Sequence, residues 1–360
     1  MNERLLKKLL KRKELGNFRT LQIPEAGIDF FSNDYLGLSK VATSNSKLEC
    51  NGSTGSRLLS GNSSIAVECE SILAAHFEAE SALVFGSGYV ANLGLLSAVL
   101  QRGDLVFYDQ YIHASSRDGI RLSMADSVSF KHNDVLDLTN KLASSNSQCN
   151  YVLIESLYSM DGDLAPLIEI ASICDEHNAY LIVDEAHACG VYGEMGKGLC
   201  YQNNILPQIF ARIITFGKAY GSHGAAVLGA ESLKAYLVNF SRSFIYSTAL
   251  PPSNYEDISN HVRLEELNEL RSNLQSNVSY FRALCKVLPF LSDETSPIQI
   301  LEYTNPLELE EVVCRLKDNS IYSKGIYPPT VPEGKSRLRL CIHAFNTRKE
   351  VEVLARCLQQ

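Results

Sequence analysis

The 360-residue chain contains no closely spaced cysteine pair, no apolar run long enough to cross a bilayer, no basic stripe interleaved with aromatics, no internal repeat and no low-complexity linker. Each absence removes a class of function. The ten cysteines, Cys50, Cys69, Cys149, Cys174, Cys189, Cys200, Cys285, Cys314, Cys341 and Cys357, are scattered without metal-ligand spacing. They are read as reduced thiols of a cytoplasmic protein, with no disulfide framework and no metal site. Cys174 and Cys341 fall in apolar segments that suit a small core residue, and Cys189 reads as packing near a tight turn. A transmembrane helix is excluded for want of about twenty consecutive apolar residues. The formal net charge of −8 repels a polyanion, which disfavours a nucleic-acid partner. What remains, at 45% hydrophobic and 21% charged residues, is an ordinary globular composition with length enough for a large core.

Near the start, Leu5, Leu6, Leu9 and Leu10 make an apolar stripe beside Lys7, Lys8, Lys11, Arg12 and Lys13. Glu3, Glu14 and the lack of serine enrichment speak against a transit peptide, so the expectation is an amphipathic helix packed on the body. From about residue 63 to 230, strand and helix patterns alternate. Ile65, Cys69, Ile72, Leu73 and His76 keep helical spacing, and His76 reads as a packed or boundary histidine. Ala82 to Phe85, Leu105 to Tyr108, Val128 to Phe130, Tyr151 to Ile154, Tyr180 to Val183 and Arg212 to Phe216 read as strands. Leu93, Leu96 and Leu100 mark one helix between them, and Leu167, Ile170, Ala171 and Cys174 another. That alternation predicts an α/β domain with a mainly parallel sheet. After Pro251 the pattern changes to a smaller α+β unit, with strands near Ile298 to Tyr303, Ile321 and Leu338 to Ile342. The predicted organisation is an arm over 1–40, a large domain over 41–238 and a small C-terminal domain over 239–360.

The chemistry-bearing residues stand at strand ends. Tyr180 to Val183 is a continuous apolar run that stops at Asp184, Glu185, Ala186 and His187. The next strand ends in Gly217, Lys218, Ala219, Tyr220 and Gly221, which brings a lone lysine to the same carboxyl edge. Alone, Asp184 would read as a helix cap and Lys218 as a solvated loop lysine; together they suit an aromatic aldehyde cofactor. Such a site resembles those of enzymes using pyridoxal phosphate (PLP), where a lysine anchors the cofactor and an acid keeps its ring nitrogen protonated. Gly86 to Tyr89 opens a helix whose free N–H groups suit a phosphate.

The resemblance extends over nearly the whole chain to the α-oxoamine synthases. It is carried by Ser32-Asn33-Asp34-Tyr35-Leu36-Gly37-Leu38, by Gly52 through Asn62, by Ser159-Met160-Asp161-Gly162-Asp163, by the two strand-end segments, by Tyr246-Ser247-Thr248, by Pro328 through Pro332 and by Arg337-Leu338-Arg339. It implies the PLP-dependent transferase fold type I, a homodimer, and decarboxylating condensation of an amino acid with an acyl thioester, here L-alanine with a pimeloyl thioester. Glycine- or serine-using members of the family, and a noncatalytic partner subunit, are the alternatives. The retained Lys218 argues against the last.

The resemblance implies catalytic roles for Lys218, His113, Asp184 and His187. Cofactor contacts fall to Ser87, Gly88, Tyr89, His113, Ser159, Asp184, Ala186, His187, Thr215 and Lys218, with Ser247 and Thr248 reaching across a dimer interface. Arg19, which follows Phe18 in a segment like the family's N-terminal arm, Asn33 and Thr330 are the acyl-side contacts. Arg339 is the clamp for the amino acid's carboxylate, and Arg337 reads as a solvated rim charge. Two departures from the family stand out: a shorter connection between Ser39 and Gly52, and Tyr327 where an arginine is usual.

Overall fold

Residues 2–14, 18–21, 23, 27–41, 50–328 and 331–360 are described by a computed structural model. Their strands are β1 (Ile28–Asp29), β2 (Ser81–Phe85), β3 (Asp104–Asp109), β4 (Asp126–Phe130), β5 (Cys149–Glu155), β6 (Tyr180–Asp184), β7 (Ile209–Thr215), β8 (Ala225–Gly229), β9 (Ile298–Tyr303), β10 (Ile321–Tyr322), β11 (Lys324–Ile326) and β12 (Ser336–Cys341). Seven form the main sheet in the order β2-β8-β7-β6-β5-β3-β4. All neighbours in it are parallel except the pairs made by β8.

The apolar runs form strands because both faces of the sheet are covered. Val152, Ile154, Leu181, Val183 and Ile214 belong to one buried cluster, whereas Leu153, Ile182 and Ile213 belong to the other. This is the two-residue alternation of a strand with an apolar layer on each side. Each such side chain contributes about 1.5–3 kcal/mol on full burial. Helices Gly88–Val99 and Ala114–Leu122 cover one face; Ser64–His76 and Leu167–Glu176 cover the other. Local chemistry fixes their starts. The Ser63 and Ser87 side chains accept from Ala66 N–H and Val90 N–H, and Thr347 forms a reciprocal capping box with Glu350 before the last helix.

The C-terminal part builds a three-stranded antiparallel sheet, β11-β12-β9. Ile298, Ile300, Leu338 and Leu340 of that sheet join the same cluster as Val152 and Leu181, so one core runs through both sheets. β1 pairs in parallel with β10, tying the segment before Ser32 to the C-terminal part.

Two expectations change. The helix Glu3–Glu14 forms, but none of its residues is buried, and Leu5, Leu6, Leu9 and Leu10 are exposed. It is amphipathic without being packed, because its leucine stripe meets no apolar face among the described residues of this chain. The sequence reading also lacked β8, whose Ala-Ala-Val-Leu-Gly composition holds a single β-branched residue. Packing between β2 and β7 makes it a strand despite that weak propensity.

The turn carrying the candidate lysine is tightly held. Phe216 N–H donates to Gly224 O, Ser222 N–H to Phe216 O and Gly221 N–H to Lys218 O. Gly221 has φ +55°, and a Cβ there would lie 2.1 Å from Ser39 N and 2.4 Å from the Leu38 carbonyl carbon. The lysine turn is therefore pressed against the backbone of the N-terminal segment. Gly221→Ala is expected to destabilise the fold by about 2–4 kcal/mol, since it combines left-handed strain with overpacking against backbone. Urea unfolding of the variant beside the wild type checks this, and a loss under about 0.5 kcal/mol would contradict the packing described.

Candidate active site

The carboxyl ends of β5, β6 and β7 bring Glu155, Asp184 and Thr215 to one edge, with Glu155 paired in register with Asp184. Lys218 arrives three residues after β7. These four, with Asn33, Ser87, Gly88, Tyr89, His113, Ser159, Ala186, His187 and Arg339, line a cavity of about 550 Å³. It lies where ligands settle in open α/β sheets, outside the carboxyl ends of the strands.

Asp184 is almost wholly buried and anchored at both oxygens: Oδ1 accepts from Ala186 N–H at 2.9 Å and Oδ2 from Asn92 Nδ2 at 2.8 Å. Asn92, itself buried, also donates to Ser115 at 3.1 Å. Two turns of helix Gly88–Val99 thus serve one site, the first presenting backbone N–H groups and the second orienting the acid. Gly88 permits this closeness, because a Cβ there would fall 2.6 Å from Thr215 Cγ2. Thr215 is buried, and its hydroxyl donates to Ala186 O at 3.2 Å.

His187 is buried, and burial together with the nearby Lys218 and Arg339 charges holds its pKa well below the ordinary value. Its neutral ring has Nδ1 2.7 Å from the Tyr35 hydroxyl. When Tyr35 donates there, the ring proton sits on Nε2 and is free to donate to a ligand. His113 caps helix Ala114–Leu122, its Nδ1 accepting from Ser115 N–H at 3.2 Å. Burial also lowers its pKa. Its backbone N–H donates to Glu155 Oε1 at 2.5 Å.

Burial lowers the Lys218 pKa to about 8, against the opposing pull of the Asp184 and Glu155 carboxylates. Glu155 moves the other way, its pKa raised by burial and by the Asp184 charge. The lysine pKa is therefore depressed, with burial as the main cause and the Arg339 cation a smaller one.

On the small-sheet side, Arg339 is buried with its guanidinium fixed: Nε donates to Ser159 O at 2.8 Å, Nη2 to Asn33 Oδ1 at 2.9 Å and Nη1 to Cys341 Sγ at 3.1 Å. Arg337 is not the solvated rim charge expected. It is 3% exposed, ion-paired with Asp161 at 2.7 Å and bonded to Met160 O at 2.8 Å. Both arginines share a strand face, and that face is turned into the junction between the two sheets.

Other expected residues lie elsewhere. Ser247 and Thr248 are exposed and line a small separate crevice with Arg57, Phe244 and Tyr255, away from their own chain's cavity. Arg19 is exposed and outside the cavity lining, and Thr330 lies outside the described residues. Cys189 is buried packing, as expected. Asn92, Tyr35 and Glu155 were not anticipated as site residues. A lone amide inside a mainly apolar helix was the signal for Asn92; for Glu155 it was an acid directly after the apolar run Tyr151 to Ile154.

An amine poised near neutrality, a fixed carboxylate, two neutral imidazoles, a helix N-terminus and a buried arginine suit PLP and an amino acid together. The family model for class I and II aminotransferases matches residues 25–358, and the chain belongs to that family. Within it, the chain is a member of the α-oxoamine synthases. It is 37% identical over 364 residues to a putative 8-amino-7-oxononanoate synthase of Bacillus licheniformis, covering 98% of this chain and 96% of the relative. The 8-amino-7-oxononanoate synthase of Emericella nidulans is 37% identical, with 97% and 93% covered. A solved SPT structure with PLP superposes with a TM-score of 0.90 at 27% identity, covering 99% and 96% of the two chains.

In the cofactor-free protein, the Lys218 amine should titrate near 8, well below the 10.5 of an ordinary lysine. Asp184→Asn removes a charge that favours the ammonium form, so the value should fall further. Selective ¹³C-methyl labelling with NMR titration reads it directly; a titration at the ordinary value would contradict the burial described.

Proposed function

We propose that the protein is a PLP-dependent synthase that condenses L-alanine with a pimeloyl thioester, on coenzyme A or an acyl carrier protein, to give 8-amino-7-oxononanoate for biotin synthesis. The observation that carries this reading is the opening of Lys218, Asp184, His187 and Arg339 onto one cavity. Relatives of that name, 37% identical along almost the full length, support the choice among α-oxoamine synthases.

When bound, PLP supplies the electron sink that makes the amino acid's α-carbon acidic. Asp184, held by Asn92 and Ala186 N–H, pairs with the ring nitrogen and keeps it protonated. The N-terminus of helix Gly88–Val99, with Ser87, Tyr89 and Thr215, takes the phosphate. His113 would cover one ring face and Ala186, too small to displace the ring, the other. Ser159 and His187 would serve the phenolic oxygen.

Arg339 meets the amino acid's carboxylate. Lys218, whose amine is half neutral near pH 8, would take the α-proton. Overall, the new carbon–carbon bond would replace the thioester bond and release the thiol, and the alanine carboxylate would leave as CO2 with a proton taking its place at carbon. Asn33, Arg19 and Thr330 serve the acyl side. Closure of residues 239–360 over the large domain would exclude water from the reacting carbon.

Steady-state rates with alanine, glycine and serine, each crossed with pimeloyl, acetyl, succinyl and palmitoyl thioesters, test this. The highest kcat/KM is expected for alanine with the pimeloyl donor, and a higher value for glycine or serine with another donor would overturn the biotin assignment. Lys218→Ala should lower kcat by at least about 100-fold while leaving weak PLP binding.

The reading includes a cytoplasmic homodimer in which Ser247 and Thr248 of each subunit reach the neighbour's cofactor phosphate. Their exposure, away from their own chain's cavity, supports it. Analytical ultracentrifugation at assay concentration should give a dimer. Replacing both hydroxyls with alanine should weaken PLP binding about tenfold at unchanged dimer content. A fully active monomer would falsify this arrangement.

A further inference from the structure

Beyond the cavity, His132 forms a charged joint that no step above uses. It lies two residues past β4, with Nδ1 2.9 Å from Asp109 Oδ1 and Nε2 2.7 Å from Asp163 Oδ2. Two carboxylates can only accept, so both ring nitrogens must donate and the ring is an imidazolium. Burial alone would lower its pKa, but the Asp109 and Asp163 hydrogen bonds and charges together raise it to about 10. The ring lies near the Tyr111 ring at 4.5 Å and edge-on to Tyr158 at 4.5 Å. Asn133 adds bonds of 2.8 Å to both acids, from its backbone N–H to Asp109 and from its side chain to Asp163.

Asp163 belongs to a tight loop over 158–164. A bridge between Leu157 and Leu164 closes it, and Tyr158 N–H to Asp163 O (3.1 Å) and Gly162 N–H to Tyr158 O (2.8 Å) brace it. This loop is what the two small-sheet arginines grip: Arg337 holds Asp161 and Met160 O, and Arg339 Nε holds Ser159 O. His132 thus fastens the loop to the main sheet from one side while Arg339 leans on it from the other.

We propose that His132 is a positioning residue for the amino-acid carboxylate site: it fixes the loop over 158–164 so that the Ser159 carbonyl sets the direction of the Arg339 guanidinium. The inference rests on the reading that Arg339 receives the carboxylate. Its consequence is selective. Loosening the loop should disturb recognition of the carboxylate and spare the amine, the ring nitrogen and the phosphate, since Asp184, Thr215 and Lys218 lie at the ends of other strands and only Ser159 among the proposed cofactor contacts belongs to the loop.

The test uses PLP-loaded enzyme and two ligands, L-alanine and ethylamine, which lacks the carboxylate; dissociation constants are read from the absorbance of the bound cofactor. His132→Gln is expected to weaken alanine about tenfold and leave ethylamine and PLP content unchanged. In an Arg339→Ala background, the same substitution should cost alanine nothing further, because coupled residues are not additive. Asp163→Asn, which keeps the His132 bond to Asp109, should repeat the pattern more mildly and serves if His132→Gln fails to fold. Equal weakening of both ligands, loss of PLP or unchanged alanine binding would overturn the proposal. If Arg339→Ala leaves alanine binding intact, the carboxylate role of Arg339 falls, and this inference with it.

Discussion

Everything at this site depends on keeping ionisable groups in a region where charge is costly. Burial works against the charged form of Lys218 and of Glu155, while Asp184 between them stabilises the first and discourages the second. The sheet makes the arrangement affordable in structure. The last residues of β5 and β6 before the site are apolar up to Glu155 and Asp184, so these acids stand at the strand ends, and there each meets a fixed partner: Asn92 and a backbone N–H for Asp184, the His113 N–H for Glu155. The same edge supplies a helix N-terminus whose closeness depends on Gly88. Without the apolar strands behind it, the lysine would be solvated and would lose its proton only near the ordinary value of 10.5.

Much of this was legible in the sequence because the signals were local. β5 and β6 carry short apolar runs that stop at an acid, and the strand read from Arg212 to Phe216 stops at Gly217 and Lys218; such ends identify the site edge without any knowledge of topology. The order in which strands pair was not legible. β8 is alanine-rich and owes its conformation to two neighbours far away in sequence. Contacts across the two sheets were equally hidden. Arg337 reads as a surface charge until β12 is laid against the loop holding Asp161, and Tyr35 is only one member of a family-like motif until its hydroxyl meets His187. The leucine stripe of helix Glu3–Glu14 marks the opposite failure: periodicity specified an amphipathic helix correctly but carried no information on whether this chain supplies a face for it.

The guanidinium of Arg339 has its own consequence. Three of its five N–H groups are already committed, to Ser159 O, Asn33 Oδ1 and Cys341 Sγ, before any ligand arrives. A side chain locked in this way gives up little freedom on binding, and it leaves two N–H groups in a fixed place for a carboxylate. On the proposed reading, with the amine end of the ligand fixed at the Lys218 position, the site becomes a ruler. It measures the one-carbon separation between amine and carboxylate, so it admits α-amino acids as a class and excludes those whose amine stands a carbon further away, leaving the choice among side chains to the walls of the cavity.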